Sequence, residues 1–150
     1  MARILIAGGS LGGLLAANLL LRDGHDVQVL EKAAGSLDGR GAGIVTHAAL
    51  LRGLARAGVT VDETLGVRVA SRVVLGLEGD VVARVQMPQW LTSWSRLYSL
   101  LSDAFPRERC HRAISVASVE QHAVGVRVHS DSGAAFDRSE ERRVGKECVP

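Results

Sequence analysis

The chain has 150 residues, of which 47% are hydrophobic and only 3% aromatic, with a formal net charge of +2 from interspersed acids and bases. That length supports one domain with a core of Val, Leu, Ile and Ala, and the balanced charge argues against a nucleic-acid groove. No apolar run reaches the roughly 20 residues of a membrane span, and Met1-Ala2-Arg3 runs into Ile4-Leu5-Ile6 without the parts of a signal peptide, so a cytoplasmic protein is expected.

Ala2 to Ala7 is a short apolar run of the kind that forms a buried parallel strand. It opens into Gly8-Gly9-Ser10-Leu11-Gly12-Gly13. Leu14, Leu15, Ala16, Ala17, Leu19, Leu20 and Leu21 then predict a helix that is apolar around most of its surface, as a helix covering a sheet must be. Arg22-Asp23-Gly24-His25 breaks it, and Asp26 to Leu30 reads as a second strand ending at Glu31. Strand, glycine turn, helix and strand make a βαβ unit. In such a unit Gly8 allows the tight turn, the second fingerprint position lets the backbone approach a pyrophosphate, and Gly13 lets helix and strand pack closely. The helix N-terminus directs free N–H groups and a partial positive charge at phosphates. Glu31 is placed to accept hydrogen bonds from a ribose hydroxyl, and its charge disfavours a 2′-phosphate and hence NADP. A strict GxGxxG would need glycine at position 10, where Ser10 stands. Serine is small and can cap the helix, so phosphate approach stays open. A turn that only joins strand to helix is the alternative; the βαβ context and the acidic strand end favour dinucleotide binding. These residues leave FAD and NAD both possible.

A loop, Ala33 to Gly39, leads to Arg40-Gly41-Ala42-Gly43-Ile44, which alone is a flexible glycine-rich stretch with one cation. His47 to Ala57 predicts a helix with Leu50, Leu51 and Leu54 on one face and Gly58 closing it. Val67 to Leu77 and Val81 to Val85 alternate around Gly79-Asp80 and predict antiparallel strands. Trp94 to Ala104 predicts a helix that Pro106 ends. Ile114 to Val119 and Val124 to Val128 form another alternating pair, the second half-exposed. His111, His122 and His129 are scattered and expected on the solvated surface, and no metal site or catalytic triad is expected. Cys110 and Cys148 make neither a CxxC pair nor a disulfide framework, and Cys110 reads as a half-buried small residue.

Three segments together, Gly8-Gly9-Ser10-Leu11-Gly12-Gly13-Leu14, Val29-Leu30-Glu31-Lys32 and Arg40-Gly41-Ala42-Gly43-Ile44, resemble the start of the FAD-dependent monooxygenases related to p-hydroxybenzoate hydroxylase. The segment from Trp90 to Trp94, with Leu97-Tyr98 and Leu100-Leu101, is similar to the 2,6-dihydroxypyridine 3-monooxygenase-like subgroup, which has an aromatic residue where most of the family has arginine at the Trp94 position. The resemblance covers roughly Met1 to Asp137. It implies an α/β Rossmann-type FAD-binding fold with an inserted antiparallel sheet. It places Gly8, Gly9, Ser10, Leu11, Gly12 and Gly13 at the pyrophosphate, Glu31 at the adenosine ribose, Arg40 beside FAD and its phosphates, and the Val116 backbone near the adenine, with Lys32 and Gly41 also among the cofactor-binding residues. Arg40 suits that role, since a planar, permanently charged fork matches a diphosphate. Trp94 and Tyr98 would either line a flavin or substrate pocket or serve ordinary packing. The implied reaction is hydroxylation of a small aromatic or heteroaromatic ring, with NADH or NADPH reducing FAD and O₂ supplying the oxygen. The cofactor carries that chemistry, which accounts for the absence of nominated catalytic side chains. The resemblance allows a homodimer of the intact enzyme. Two alternatives stay open: another FAD- or NAD-dependent oxidoreductase with the same N-terminal unit, and a non-catalytic nucleotide-binding module.

From Arg138 the pattern changes. The run Arg138 to Cys148 has neither strand nor helix period and resembles one reading frame of a short-read sequencing adapter. Residues 1–137 are therefore expected to be the N-terminal part of an FAD-binding and substrate domain, and 138–150 a non-native tail. In the family an apolar strand returning to the first sheet and an Asp-Gly motif touching FAD would follow. On this reading the chain alone turns nothing over and leaves a sheet edge open.

Overall fold

The computed structural model describes residues 1–39, 41–123 and 125–138. In chain order the elements are β1 (Arg3–Ala7), α1 (Leu11–Arg22), β2 (Asp26–Glu31), β3 (Gly43–Val45), α2 (Ala48–Arg56), β4 (Val67–Leu75), β5 (Val81–Ser93), α3 (Trp94–Ala104), β6 (Cys110–Arg112), β7 (Val116–His122), β8 (Gly125–Ser130) and β9 (Ala135–Arg138). They form three sheets of three strands, ordered β1-β2-β6, β3-β5-β4 and β7-β8-β9.

The first sheet is parallel, with Ile4 opposite Val27 and Leu30 opposite His111. Alternation along its strands sends side chains to two different layers. Ile4, Ile6, Val27 and Val29 pack with Leu14 and Ala17 of α1 and Leu97 and Leu101 of α3. Leu5 and Leu30 point the other way, onto Val126 and Val128 of β8. Helices, parallel sheet and the β7-β8-β9 sheet thus stack as three layers. Strands covered on both faces need continuous apolar runs, which explains the unbroken Ile4-Leu5-Ile6. Each such fully buried side chain contributes about 1.5–3 kcal/mol.

One buried polar residue joins the helices. Asn18, 2% exposed on α1, donates through Nδ2 to the carbonyls of Leu14 and, across the interface, Leu101, each at 2.9 Å. Helix α3 starts where Ser93 accepts from the Arg96 N–H at 3.0 Å, and α2 starts at Ala48 because His47 Nδ1 accepts from the Leu50 N–H.

Several expectations are corrected. The second strand of the hairpin runs on past Val85 to Ser93, because β3 pairs with its far end, Gly43 opposite Ser93. Cys110–Arg112 is a strand, fastened by an ion pair between Arg109 and Asp26. His111 is not a solvated surface residue: lying on β6 between two sheets, it has its Nε2 shut off from solvent and its ring 6.4 Å from that of Phe136. His129 is also partly buried, with Nε2 3.4 Å from Glu120 Oε1, whereas His122 is exposed. Cys110 is half-buried, as expected, and burial pushes its thiol above the ordinary value. Of the run read as a non-native tail only Arg138 is described, its backbone opposite Val126 at the end of β9; the rest of that expectation, residues 139–150, lies outside the described residues. Among the described residues no helix is long and apolar enough to cross a membrane.

Candidate functional site

The carboxyl ends of β1, β2 and β6 come together on one side of the parallel sheet, the side on which open α/β sheets bind ligands. The glycine turn leaves β1 here. Gly8 takes φ +104° and donates its N–H to the Leu30 carbonyl at 2.7 Å, stitching the turn to β2. A Cβ on Gly13 would collide with the Gly8 carbonyl oxygen and come within 3.4 Å of Ile6, so only glycine lets α1 sit this close to β1. Ser10 occupies the N-cap with extended backbone, and its carbonyl accepts from the Leu14 N–H at 2.9 Å. Contrary to expectation its hydroxyl makes no capping hydrogen bond. The first turn of α1 therefore has no side-chain cap, and it carries no acidic residue. Leu11 is half-buried against the main core, and a Cβ on Gly12 would meet nothing within 4 Å.

Glu31 is 7% exposed at the end of β2. Its Oε2 accepts from the Gly9 N–H at 2.7 Å and its Oε1 from the Ala33 N–H at 2.8 Å. The carboxylate thus bridges the glycine turn and the next loop, and each oxygen keeps a second lone pair for a further donor. Gly9 lies against it: a Cβ there would fall only 3.2 Å from Glu31 Cβ. Lys32 is exposed beside it. Arg40 lies outside the described residues. Gly41, at φ +87°, rests against Trp94, whose Cβ and Cγ would lie 2.6 Å from any Cβ added to it.

Beyond β6 the chain turns across the end of β2. Ala113 donates to the Ala33 carbonyl at 3.3 Å and Ile114 to the Glu31 carbonyl at 3.0 Å. Two residues later Val116, half-buried, begins β7. Ala113 holds φ +57° at this crossing, a region alanine seldom takes.

One residue at this edge was not singled out from sequence. Arg112 stands opposite Glu31 in the parallel register. It donates through Nη1 to the Gly35 carbonyl at 2.7 Å and through Nη2 to the Tyr98 hydroxyl at 2.9 Å. The hydrogen bond to Tyr98 raises its pKa further above the ordinary arginine value. Tyr98 is buried and stacks on Trp94, ring centroids 5.1 Å apart and planes 9° apart. Of the sequence-selected residues, the Gly8 to Gly13 turn and Glu31 are in direct contact; Gly41 is reached through α3, and Val116 through the 113–115 turn.

No family model matches the sequence. The 2,6-dihydroxypyridine 3-monooxygenase of Paenarthrobacter nicotinovorans is 34% identical over 132 residues, which are 87% of this chain and 33% of that protein. The structure of 2,6-dihydroxypyridine-3-hydroxylase from Arthrobacter nicotinovorans matches with a TM-score of 0.80 and 31% identity, over 92% of this chain and 35% of that one. A Klebsiella pneumoniae HpxO variant complexed with FAD shares the fold at a TM-score of 0.80 and 20% identity, over 93% of this chain and 38% of that one. The chain spans about a third of the length of the proteins it matches. Sequence and fold thus agree with the resemblance carried by the three N-terminal motifs: over about a third of their length, this chain is similar to a 2,6-dihydroxypyridine 3-monooxygenase and to a solved 2,6-dihydroxypyridine-3-hydroxylase.

Proposed function

We propose that this chain supplies the ADP-binding side of an FAD site in a flavin-dependent monooxygenase. The observation that carries the reading is the Glu31 carboxylate, buried at the strand end and locked to the Gly9 N–H beside an uncapped helix N-terminus. A dinucleotide asks for this combination: open N–H groups for its pyrophosphate and an oriented acid for a ribose hydroxyl. Gly8, Gly9, Ser10, Leu11, Gly12 and Gly13 would hold the pyrophosphate, with the Ser10 hydroxyl free of any capping role to join them. Glu31 and Lys32 would hold the adenosine ribose, Arg40 and Gly41 the phosphate flank, and the Val116 backbone the adenine. FAD, when bound, supplies the redox and oxygen-transfer chemistry, with NADH or NADPH as reductant. The protein's part is binding, orientation and exclusion of water. The relatives' names point to a hydroxylated nitrogen heteroaromatic ring as the substrate class.

The test is isothermal titration of the chain with ADP-ribose and with its 2′-phosphorylated form. ADP-ribose is expected to bind more tightly by about tenfold, or about 1.4 kcal/mol, since Glu31 repels the added phosphate. Equal or tighter binding of the phosphorylated form would overturn the assignment of Glu31 to the ribose.

A further inference from the structure

In the loop after Glu31 the described residues, 32–39 and 41–42, are fastened at several points. The Ala33 N–H and carbonyl are taken by Glu31 and Ala113, and the Gly35 carbonyl by Arg112. Further along, the Gly39 N–H donates to Ser95 Oγ at 3.1 Å, and the Ala42 carbonyl accepts from the Trp94 N–H at 3.1 Å. Leu37 is 5% exposed and anchors the loop in the main core. Apart from Glu31 itself, the partners come from two places: the end of β6 with the turn that follows it, and the start of α3. Arg112 is the side chain that joins them, with one nitrogen on the loop and the other on Tyr98 of α3. Tyr98 in turn stacks on Trp94, and Trp94 supports Gly41. Guanidinium, phenol and indole make one continuous brace against the loop. A rigid planar fork can span a carbonyl and a hydroxyl at once, which an ammonium on a flexible stem does poorly. The strained φ of Ala113 lies in the same turn, a cost that the Ala33 and Glu31 carbonyl bonds sustain.

We infer that Arg112 is a positioning residue for the nucleotide site: through Gly35 and Tyr98 it holds residues 32–39 in place beside Glu31, and so sets the affinity for the ADP half of the dinucleotide. This rests on the nucleotide-binding reading above. A loop that leaves its place part of the time lowers apparent affinity by the fraction of molecules still competent. Removing the brace acts on the loop, while Glu31 and the glycine turn stay as they are.

The experiment uses the 150-residue chain and the variants Arg112→Met, Arg112→Lys and Tyr98→Phe. Limited trypsin digestion reads cleavage after Lys32, titration with ADP reads affinity, and far-ultraviolet circular dichroism checks folding. Cleavage after Lys32 is expected to speed up, and ADP binding to weaken by about tenfold, in Arg112→Met and Tyr98→Phe, with saturating ADP restoring protection. Arg112→Lys should fall nearer to Arg112→Met than to the parent. Tyr98→Phe keeps the ring stack and removes one hydroxyl, so it decides the matter if Arg112→Met fails to fold. Unchanged cleavage in folded variants overturns the brace. Faster cleavage with unchanged ADP affinity overturns its role in binding. A parent chain that binds no ADP, with cleavage still faster in both variants, overturns the nucleotide reading and the affinity half of this inference, and leaves the brace standing.

Discussion

At the scale of the residue, two glycines of one motif do different work. Gly13 is required by contact: any side chain would enter the space of the Gly8 carbonyl. Gly12 has open space where a side chain would project. Gly13→Ala is therefore expected to destabilise the chain by about 2–3 kcal/mol, as overpacking against backbone does. Gly12→Ala is expected to stabilise it by about 0.5 kcal/mol, since alanine is the better helix former. Urea unfolding of both variants checks this; equal effects would show that neither glycine is placed by packing. Motif spacing alone does not separate the two, because the distinction lies in how near β1 and α1 approach. Glu31 was legible as an acid at a strand end. That both its oxygens already hold backbone N–H groups was not, since one donor lies 22 residues earlier in the chain.

At the scale of the element, helices were read more closely than strands. The apolar stripe from Trp94 to Ala104 and the capping Ser93 locate α3 from local residues alone. Strands β6 and β9, with 3 and 4 residues, are too short for an alternating pattern to show. They exist because β2 and β8 offer edges to pair with, and that information is spread over distant parts of the chain. Arg112 was missed for the same reason: an arginine after a histidine carries no signal until β6 brings it opposite Glu31. The contact of α1 with α3 turns on Asn18, an inconspicuous polar residue in a row of leucines. Asn18→Leu would leave the Leu101 carbonyl buried without its donor and is expected to cost about 1–3 kcal/mol. Asn18→Gln, which keeps the amide on a longer stem, should recover part of that loss. Thermal unfolding of the two variants tests it, and an unaltered midpoint for Asn18→Leu would show that the bond contributes nothing net.

At the scale of the molecule, the helix-covered parallel strands followed from the βαβ pattern, whereas the β7-β8-β9 sheet on their other face and the uneven covering of the sheets did not. The far half of the β4–β5 hairpin exposes Val73, Val74, Leu75, Leu77, Val81, Val82 and Val85, and Leu77 is fully exposed. Alternation marked these residues as strand but gave no sign of what lies over them. An exposed apolar ribbon of this kind promotes association. The double variant Val74→Lys with Val82→Lys should reduce concentration-dependent association in sedimentation velocity without lowering the melting midpoint; persistent association would place the sticky surface elsewhere. The parallel sheet has a different consequence, one of timing. Asp26 and Arg109 meet across 83 residues of chain, while β1, α1 and β2 are adjacent. As the polypeptide leaves the ribosome, the βαβ unit can close early from local contacts, but the outer rim of β2 waits for β6, and long-range pairing of this kind is slow. The turn after β6 that crosses the end of β2 at Glu31 is therefore among the last parts to form, and a nascent chain carries its glycine turn well before the proposed adenosine site is complete.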